Sequence, residues 1–141
     1  MQIIEVPAVD AVVCSGIIAL LPQLTDRTDE TTMKALQMII DSEGSTLLAA
    51  VEEGKVLGCL LLTVFPVLTD RRGWIDDLVV CATQRGRGIG RELVASALRK
   101  ARSLGAQSVN LTCHPRRKAA NSLYRRLGFT LRETNVYHYA L

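Results

Sequence analysis

The residues most suggestive of chemistry form the glycine-rich stretch Arg-Gly-Arg-Gly-Ile-Gly at positions 85–90. This stretch joins residues 74–81, a run typical of a buried strand, to a run typical of a helix. Glycine has no Cβ, so the main chain can turn sharply and several N–H groups can point at one anion. The helix that follows adds the positive end of its dipole. The order of these elements predicts a phosphate-binding loop.

Two common phosphate-binding patterns do not fit this spacing. The dinucleotide fingerprint G-x-G-x-x-G needs its third glycine where the chain has Arg91 or Leu93. The P-loop needs Gly-Lys followed by Ser or Thr, which occurs nowhere in the sequence. The pattern that fits is Arg/Gln-x-x-Gly-x-Gly/Ala, and it resembles the acyl-CoA pyrophosphate loop of the GNAT superfamily of N-acetyltransferases. The alternative is an exposed Gly/Arg turn that binds no ligand.

A second segment, residues 119–129 with the sequence AANSLYRRLGF, resembles the motif A-A-x-x-L-Y-x-x-x-G-F of the same superfamily. It follows the glycine loop at the spacing found in that superfamily. The resemblance implies an α/β fold, with a central mixed and mostly antiparallel sheet flanked by about four helices. It also implies that acyl-CoA lies in a V-shaped opening between the strand carrying Val79 and Val80 and the strand carrying Leu111.

The resemblance further implies acetyl-CoA as the cofactor and a set of residues that contact it. Many family members have Asn where this chain has Arg117. By charge alone, Arg116, Arg117 and Lys118 suit the 3′-phosphate of CoA, and a solvated turn is the alternative. The expected cofactor-binding residues are Leu78, Val79, Val80, Arg85, Gly86, Arg87, Gly88, Ile89, Gly90, Arg91, Asn121 and Tyr124.

Acetyl transfer needs a neutral amine, and deprotonating an alkylammonium of pKa about 10.4 at pH 7 costs roughly 4.6 kcal/mol. Asp76 and Asp77 are adjacent carboxylates on the strand that leads into the loop. In similar glucosamine-phosphate acetyltransferases the corresponding acidic positions bind the acceptor or assist proton removal. Strand alternation sends the two side chains to opposite faces, so only one is expected in the cleft. Asp76 is favoured and Asp77 is the second choice; ion pairs with Arg71 or Arg72 are the structural alternative.

Tyr124 is the candidate donor to the departing sulfur. Complete proton transfer from a phenol of pKa about 10 to a thiolate of pKa about 8.5 is uphill by roughly 2 kcal/mol, so hydrogen-bond donation is expected. A buried core tyrosine is the alternative. By resemblance, the backbone N–H of Val80 polarises the thioester carbonyl. Direct transfer in a ternary complex is expected, because G-x-S-x-G is absent and no His is placed by sequence to activate a cysteine.

The elements that must position these residues follow from hydrophobic periodicity. The second helix has Met33, Leu36, Gln37 and Ile40 on one face, and Thr28 or Asp29 can cap it. The predicted strands are residues 2–6, 45–51, 56–65, 74–81 and 109–113, with a last strand or hairpin over 129–141. The predicted helices are residues 9–21, the segment around 33–40, residues 89–104 and the segment that Gly128 ends.

Length and charge limit the function classes. With 141 residues the chain is expected to be a single N-acetyltransferase domain, residues 1–141. Residues 84–141 contain twelve Lys/Arg and two Asp/Glu, which favours an anionic ligand. Nucleic acid is an unlikely partner, because two Phe and one Trp offer little base stacking and no helix-turn-helix or zinc pattern occurs.

Other patterns give expectations about location and metal. No apolar run reaches the roughly 20 residues of a membrane span, and residues 1–5 lack the positive charge of a secretory signal, so a cytoplasmic protein with no membrane partner is expected. Four widely spaced cysteines without C-x-x-C predict free thiols, with no metal site. His114 and His138 are isolated and expected to be structural.

Two expectations concern partners. The acceptor is predicted to be the primary amine of a small molecule, such as an amino sugar or amino acid derivative; a peptide or protein amine is the alternative. A CoA-binding module without turnover is a third option. The apolar residues 136–141 need a partner for a strand edge, which predicts a homodimer.

Overall fold

The computed structural model describes residues 1–8, 10–26 and 33–141, and it has the predicted α/β architecture. A single mixed sheet carries helices on both faces. The strands are β1 (Gln2–Glu5), β2 (Ser45–Glu52), β3 (Lys55–Pro66), β4 (Arg71–Val80) and β5 (Ser108–Asn110). The helices are α1 (Ala11–Leu20), α2 (Met33–Asp41), α3 (Ile89–Ser103) and α4 (Lys118–Arg126), with short 3-10 turns at Leu21–Gln23 and Ala82–Gln84.

The strands lie in chain order across the sheet, β1-β2-β3-β4-β5. All neighbours are antiparallel except β4 and β5, which are parallel and connected through α3. The predicted mixed and mostly antiparallel sheet is therefore confirmed. The proposed helix caps Thr28 and Asp29 lie outside the described residues.

Strand alternation divides the core between the two faces of the sheet. On β2, Leu48 and Ala50 pack with α3 and α4, whereas Leu47 and Ala49 pack with α1 and α2. Both faces are therefore covered by helices, and the central strands are apolar on each side. On β4, Ile75 packs on the α3 and α4 side and Val79 packs on the α1 and α2 side, so this strand contributes to both halves of the core.

The edge of β4 opens beyond its first residues. Pairing between β4 and β5 ends at Trp74 and Asn110, although β4 continues to Val80. Beyond Trp74 the edge of β4 that faces away from β3 has no neighbouring strand in the described structure. This divergence produces the predicted V-shaped opening.

A β-bulge lies in the same part of β4. Cys59 pairs with Val79 and Leu61 pairs with Asp76, so Asp77 and Leu78 together lie opposite one residue of β3. Asp77 has a positive φ of 51°, a conformation that aspartate adopts more readily than most residues. The bulge interrupts strict alternation at the two adjacent carboxylates.

The prediction of a last strand or hairpin over residues 129–141 is wrong. The structure has no regular secondary structure there, and the large apolar side chains that follow the half-buried Phe129 are exposed. The segment has the composition of a strand, but a strand forms only where a neighbouring edge accepts its hydrogen bonds. No described strand pairs with it. We call residues 129–141 the closing segment.

Candidate active site

A large groove of about 1110 Å³ occupies the opening between β4 and α4. Its walls are the end of β4, the glycine loop, the start of α3 and the length of α4, with a contribution from Gln23 and Leu24 in the turn after α1. The groove therefore follows the elements of both sequence motifs. The predicted cofactor residues that line it are Leu78, Val79, Val80, Arg85, Gly86, Gly88, Ile89, Gly90 and Arg91.

The glycine loop has the backbone geometry that an anion cradle requires. Gly86 and Gly88 have φ values of 81° and 79°, and a Cβ at either position would meet no atom within 4 Å. Side chains are thus disfavoured by backbone conformation, while the space in front of the loop is open. Gly88 is the N-cap of α3, and no side chain there accepts a hydrogen bond from the first N–H groups of the helix. These N–H groups are therefore available to a ligand at this end of the groove.

Positive side chains surround this helix end. The groove is lined by Arg85, Arg91, Arg117, Lys118 and Arg126, and by no acidic residue among those that the structure describes. Arg85 makes only a long 3.4 Å contact, from Nη2 to Oε1 of Gln23. The uncapped helix end, the open glycine positions and these cations together fit a large phosphorylated ligand such as acyl-CoA.

The main chain of β4 also presents a donor to the opening. The N–H of Cys81 donates to the carbonyl of Leu57 on the β3 side, at 2.8 Å. Because successive residues of an antiparallel strand direct their amides to opposite edges, the N–H of Val80 points away from β3 and toward the opening. This orientation agrees with the role that the family resemblance implies for Val80.

Arg87 lies outside the groove. Its Nη2 donates to both carboxylate oxygens of Glu52 at 3.0 Å, and its Nη1 donates to Gln84. Glu52 also contacts the amino group of Met1 at 3.3 Å. Hydrogen bonding from Arg87, and secondly from the amino terminus, lowers the pKa of Glu52 below its ordinary value. Arg87 therefore attaches the glycine loop to the end of β2, and its side chain makes no part of the groove lining.

Asn121 also acts within the protein. Its Nδ2 donates to the carbonyls of Arg117 at 2.9 Å and His114 at 3.0 Å, and it lies 3.4 Å from Sγ of Cys113. These bonds fix the turn between β5 and α4. His114 helps as well, because its Nδ1 accepts from the N–H of Arg116 at 3.1 Å. Asn121 does not line the groove.

A smaller cavity of about 220 Å³ adjoins the groove. The two spaces share Leu24, Leu78 and Arg117, so they meet at this junction. The smaller cavity brings together four separate parts of the chain. Its lining is Leu21, Leu24, Thr25, Ile75, Asp76, Asp77, Leu78, Leu111, Thr112, Arg117 and Tyr124.

Both carboxylates line the smaller cavity, whereas alternation predicted only one. The bulge accounts for the difference, because it changes the side-chain direction between Asp76 and Asp77. The described structure shows no ion pair for either of them; Arg72 instead pairs with Asp70 at 3.1 Å. Desolvation by the surrounding protein, and secondly the negative charge of Asp76, raises the pKa of Asp77. The residue as a whole is nevertheless exposed to solvent.

Tyr124 combines a core position with access to the cavity. The residue is 7% exposed, and its ring packs edge-on against Phe129 with a centroid distance of 5.7 Å. Its hydroxyl has no hydrogen-bond partner among the described residues, and its oxygen keeps some contact with solvent. Because Tyr124 lines the smaller cavity, the hydroxyl is open to that cavity. Burial, and secondly Cys113, raises the pKa of Tyr124, while Arg117 acts in the opposite direction. The phenol is therefore protonated at neutral pH.

Sequence reasoning assigned Arg117 to a phosphate or to solvent, and the structure places it at the junction of both cavities. Leu21, Leu24 and Thr25, from the turn after α1, were assigned no role. Apolar residues near Pro22 also fit an ordinary helix end, so their types alone did not indicate a role in the site.

The cysteines are free thiols, and two of them lie in the core. Burial, and secondly the charge of Asp77, raises the pKa of Cys59 to about 12, so this thiol is unreactive.

Within residues 1–8, 10–26 and 33–141, no cluster of His, Cys, Asp or Glu could hold a metal ion. The described helices include none that could cross a membrane.

Comparison with known proteins decides the family. The model of the acetyltransferase (GNAT) family matches residues 18–129. This range includes both sequence motifs and every residue that lines the two cavities. The chain belongs to the GNAT family. The predicted family is thereby confirmed.

Individual GNAT relatives differ in what their names say of the acceptor. N-alpha-acetyltransferase MAK3 of Arabidopsis thaliana is 38% identical over 92 residues, 65% of this chain and 48% of that protein. The chain thus spans about half the length of the curated relatives it matches. Two solved structures share the fold: a Trypanosoma brucei acetyltransferase (TM-score 0.83, 21% identity, 99% of both chains) and Arabidopsis glucosamine-6-phosphate N-acetyltransferase (0.81, 22%, 98% and 97%).

Proposed function

We propose that this GNAT protein transfers an acetyl group from acetyl-CoA directly to a primary amine. The observation that carries the proposal is the junction of the two cavities. A groove with an anion cradle at one end leads past Leu78 into a cavity that holds two carboxylates and the hydroxyl of Tyr124. A donor in the groove and an acceptor in the cavity would meet where these groups converge.

The groove supplies binding and orientation. The loop amides and the start of α3 hold the diphosphate, while Arg85 and Arg91 add positive charge. The outward N–H of Val80 lies along the path of the acyl arm and donates to it, as the family resemblance implies. Most of these contacts are made by main-chain N–H groups, so they would hold any acyl-CoA in the same position along the groove.

The carboxylates supply the base. In our proposal Asp77 accepts the proton of the acceptor ammonium, and its raised pKa makes it a stronger base than an ordinary aspartate. This reverses the order expected from sequence, in which Asp76 came first. Asp76 keeps the pair negative and attracts the cationic acceptor. The freed amine nitrogen forms a bond to the acyl carbon as the carbon–sulfur bond breaks.

Tyr124 stabilises the sulfur as it leaves. Its hydroxyl donates a hydrogen bond to the developing thiolate, which then takes a proton, so the proton lost by the amine is balanced by the one gained at sulfur. Since burial raises the pKa of Tyr124, the phenol keeps its own proton. The proton that the thiolate takes comes from solvent or from the acceptor amine. No covalent enzyme intermediate is required.

For the acceptor we propose the α-amine of a peptide or protein. The relatives that match at 38% and 37% identity are named N-alpha-acetyltransferases, whereas the two solved structures described above are 21% and 22% identical and support the fold alone. The small-molecule amine predicted from sequence is the second candidate. The cavity volume of about 220 Å³ is compatible with both candidates, because it suits a single small amine as well as one terminal residue.

An acceptor panel tests the activity and separates the two candidates. The purified chain is incubated with acetyl-CoA and with peptides bearing a free α-amine, the same peptides with that amine blocked, or amino sugars. Thiol release and product mass are measured, with acetyl-CoA alone as the background. Acetylation of free peptides only is expected; acetylation of amino sugars only would favour the second candidate. No product with any amine, from a chain that binds acetyl-CoA, would contradict the proposed activity.

We also propose that the protein is a homodimer. The support is the row of exposed apolar side chains in the closing segment, including Val136, Tyr137 and Tyr139 at 73%, 88% and 87% exposure. The cytoplasmic location and the single-domain boundary at residues 1–141 stay predictions.

A further inference from the structure

We infer that Arg117 forms a carboxylate-binding subsite in the smaller cavity, so that the preferred acceptor carries a carboxylate within a few bonds of its reactive amine. In a peptide this carboxylate is the acidic side chain of the first residue; in a small molecule it is the α-carboxylate of a free amino acid. The inference rests on the proposed function, because it concerns the acceptor of the same site. It adds the chemical class of that acceptor and the residue that selects it.

The main chain of Arg117 is fixed in the turn before α4. Its N–H donates to the carbonyl of His114 at 3.0 Å, and its carbonyl accepts from the backbone N–H of Asn121 at 3.0 Å. Nδ2 of Asn121 donates to the same carbonyl at 2.9 Å. Arg117 lines both the groove and the smaller cavity. These three hydrogen bonds therefore hold the base of its side chain at the junction of the two spaces.

The side chain of Arg117 has no hydrogen-bond or ion-pair partner among the described residues. Arg72 and Arg87, by contrast, each pair with a carboxylate. Arg117 is also the N-cap of α4, and its side chain gives this helix no capping hydrogen bond. N-cap positions favour Asn, Asp, Ser and Thr, so helix stability does not account for an arginine there. Departures from local preference of this kind are expected where a side chain serves a ligand.

The smaller cavity carries opposite charges on different elements. Asp76 and Asp77 lie on β4 and Arg117 lies at the start of α4, and the described structure contains no ion pair between them. An acceptor with only an ammonium group would match the carboxylates and leave the guanidinium unmatched in a space from which water is displaced, which is costly. A carboxylate on the same acceptor would match it, because the planar guanidinium can donate two parallel hydrogen bonds to a carboxylate.

The charge of Arg117 acts on the acceptor side of the junction. Burial raises the pKa of Tyr124, and the positive charge of Arg117 opposes this rise, so that charge is felt at a hydroxyl open to the smaller cavity. Among the cations in the described part of the chain, Arg117 alone lines this cavity. The groove has four further cations for the phosphates of CoA, which are Arg85, Arg91, Lys118 and Arg126.

Matched acceptors test the subsite. Peptides that begin with Asp are compared with the same peptides that begin with Asn, and free leucine is compared with leucinamide, so each pair differs by one carboxylate. At saturating acetyl-CoA, kcat/KM of the carboxylate acceptor divided by that of its neutral partner gives the carboxylate preference. Because the two amines of a pair differ in basicity, the preference is compared between the wild-type chain and Arg117→Gln, and intrinsic differences cancel.

We expect Arg117→Gln to lower the carboxylate preference about tenfold in at least one pair. This value lies between the effects of an exposed ion pair and of a charge-assisted hydrogen bond. A decrease in the peptide pair identifies an acidic first residue, and a decrease in the leucine pair identifies a free amino acid. Arg125→Gln is the matched control, because it removes the same charge from α4 at a position that lines neither cavity. An unchanged preference in both pairs, even with weaker acetyl-CoA binding, would overturn the inference.

Equilibrium binding separates this inference from the proposed function. With CoA bound, calorimetry gives the dissociation constants of the same acceptors and needs no turnover. Arg117→Gln should bind the carboxylate acceptor about tenfold more weakly and its neutral partner nearly as well as the wild-type chain does. That binding pattern without acetyl transfer would contradict only the proposed function. Equal weakening for both members of each pair would overturn the subsite and leave the acetyl transfer untouched.

Discussion

The groove and the smaller cavity are built in different ways. About half of the groove lining comes from one continuous unit, β4, the glycine loop and α3, and most of the rest comes from α4; main-chain groups and cations face its ligand. The smaller cavity is assembled from side chains of four distant parts of the chain. A contiguous unit can bind one constant donor, whereas a cavity made from separate segments can change its acceptor by changing any of them. Substitutions in the two regions should therefore affect different kinetic constants.

The largest expected effect is on the carboxylate pair. Asp77→Asn should lower kcat by about 10²- to 10⁴-fold, the usual contribution of a general base, while leaving acetyl-CoA affinity unchanged. Asp76→Asn should have a smaller effect on kcat. Because the charge of Asp76 raises the pKa of Asp77, removing it should shift the acid limb of the kcat/KM profile to lower pH. Wild-type kcat in both variants would show that neither carboxylate is the base.

Tyr124→Phe should lower kcat at least about tenfold. The ring keeps its packing against Phe129, and only the hydroxyl at the smaller cavity is lost. Steady-state kinetics and acetyl-CoA titration together separate the outcomes. Affinity lost in proportion to kcat would place the hydroxyl in the groove and break the distinction between the two regions, and an unchanged kcat would make Tyr124 a core residue only.

Arg117 lies at the junction, so its substitution should affect both regions modestly. Arg117→Gln removes a positive charge beside Tyr124 and from the groove lining. We expect a decrease of about two- to fivefold in kcat and a similar weakening of acetyl-CoA binding, as for one exposed charge. Arg116→Gln is the control, since Arg116 lines neither cavity. Equal effects of the two substitutions would attribute them to overall charge.

The smallest expected effect is on stability. The pKa of Asp77 is higher in the folded protein, so the folded state binds the proton more tightly and ionisation of this group opposes folding above its ordinary pKa. Asp77→Asn should raise Tm at pH 7 by no more than about 2 °C, because the side chain is exposed. The gain should disappear below a pH of about 3.9, where wild-type Asp77 is protonated. Asparagine also tolerates the positive φ at this position.

The parts of the fold that were predictable from sequence are those with local signals. The glycine loop, the following helix and the segment ending at Gly128 carry their own turn and capping residues, and the structure has them as predicted. The paired hairpin β2–β3 follows in the same way from two apolar runs and the turn residues between them.

The features that sequence reasoning missed depend on distant contacts. The bulge that brings Asp76 and Asp77 to one cavity comes from the register between β3 and β4, which no local pattern specifies. The ion pair of Arg87 with Glu52 joins residues on different elements. The closing segment has strand-like composition but pairs with no described strand, and composition does not report which edge receives a strand.

Titration of acetyl-CoA by calorimetry tests the central claim most directly. The wild-type chain should bind acetyl-CoA, and Gly88→Val should bind it about 10- to 100-fold more weakly, because the substitution disturbs the loop and fills the space before it. Gly54→Val is the matched control: Gly54 also has a positive φ, 74°, and open space, but lies in the β2–β3 turn. The account predicts wild-type affinity for this control. Wild-type affinity in a folded Gly88→Val protein would contradict it.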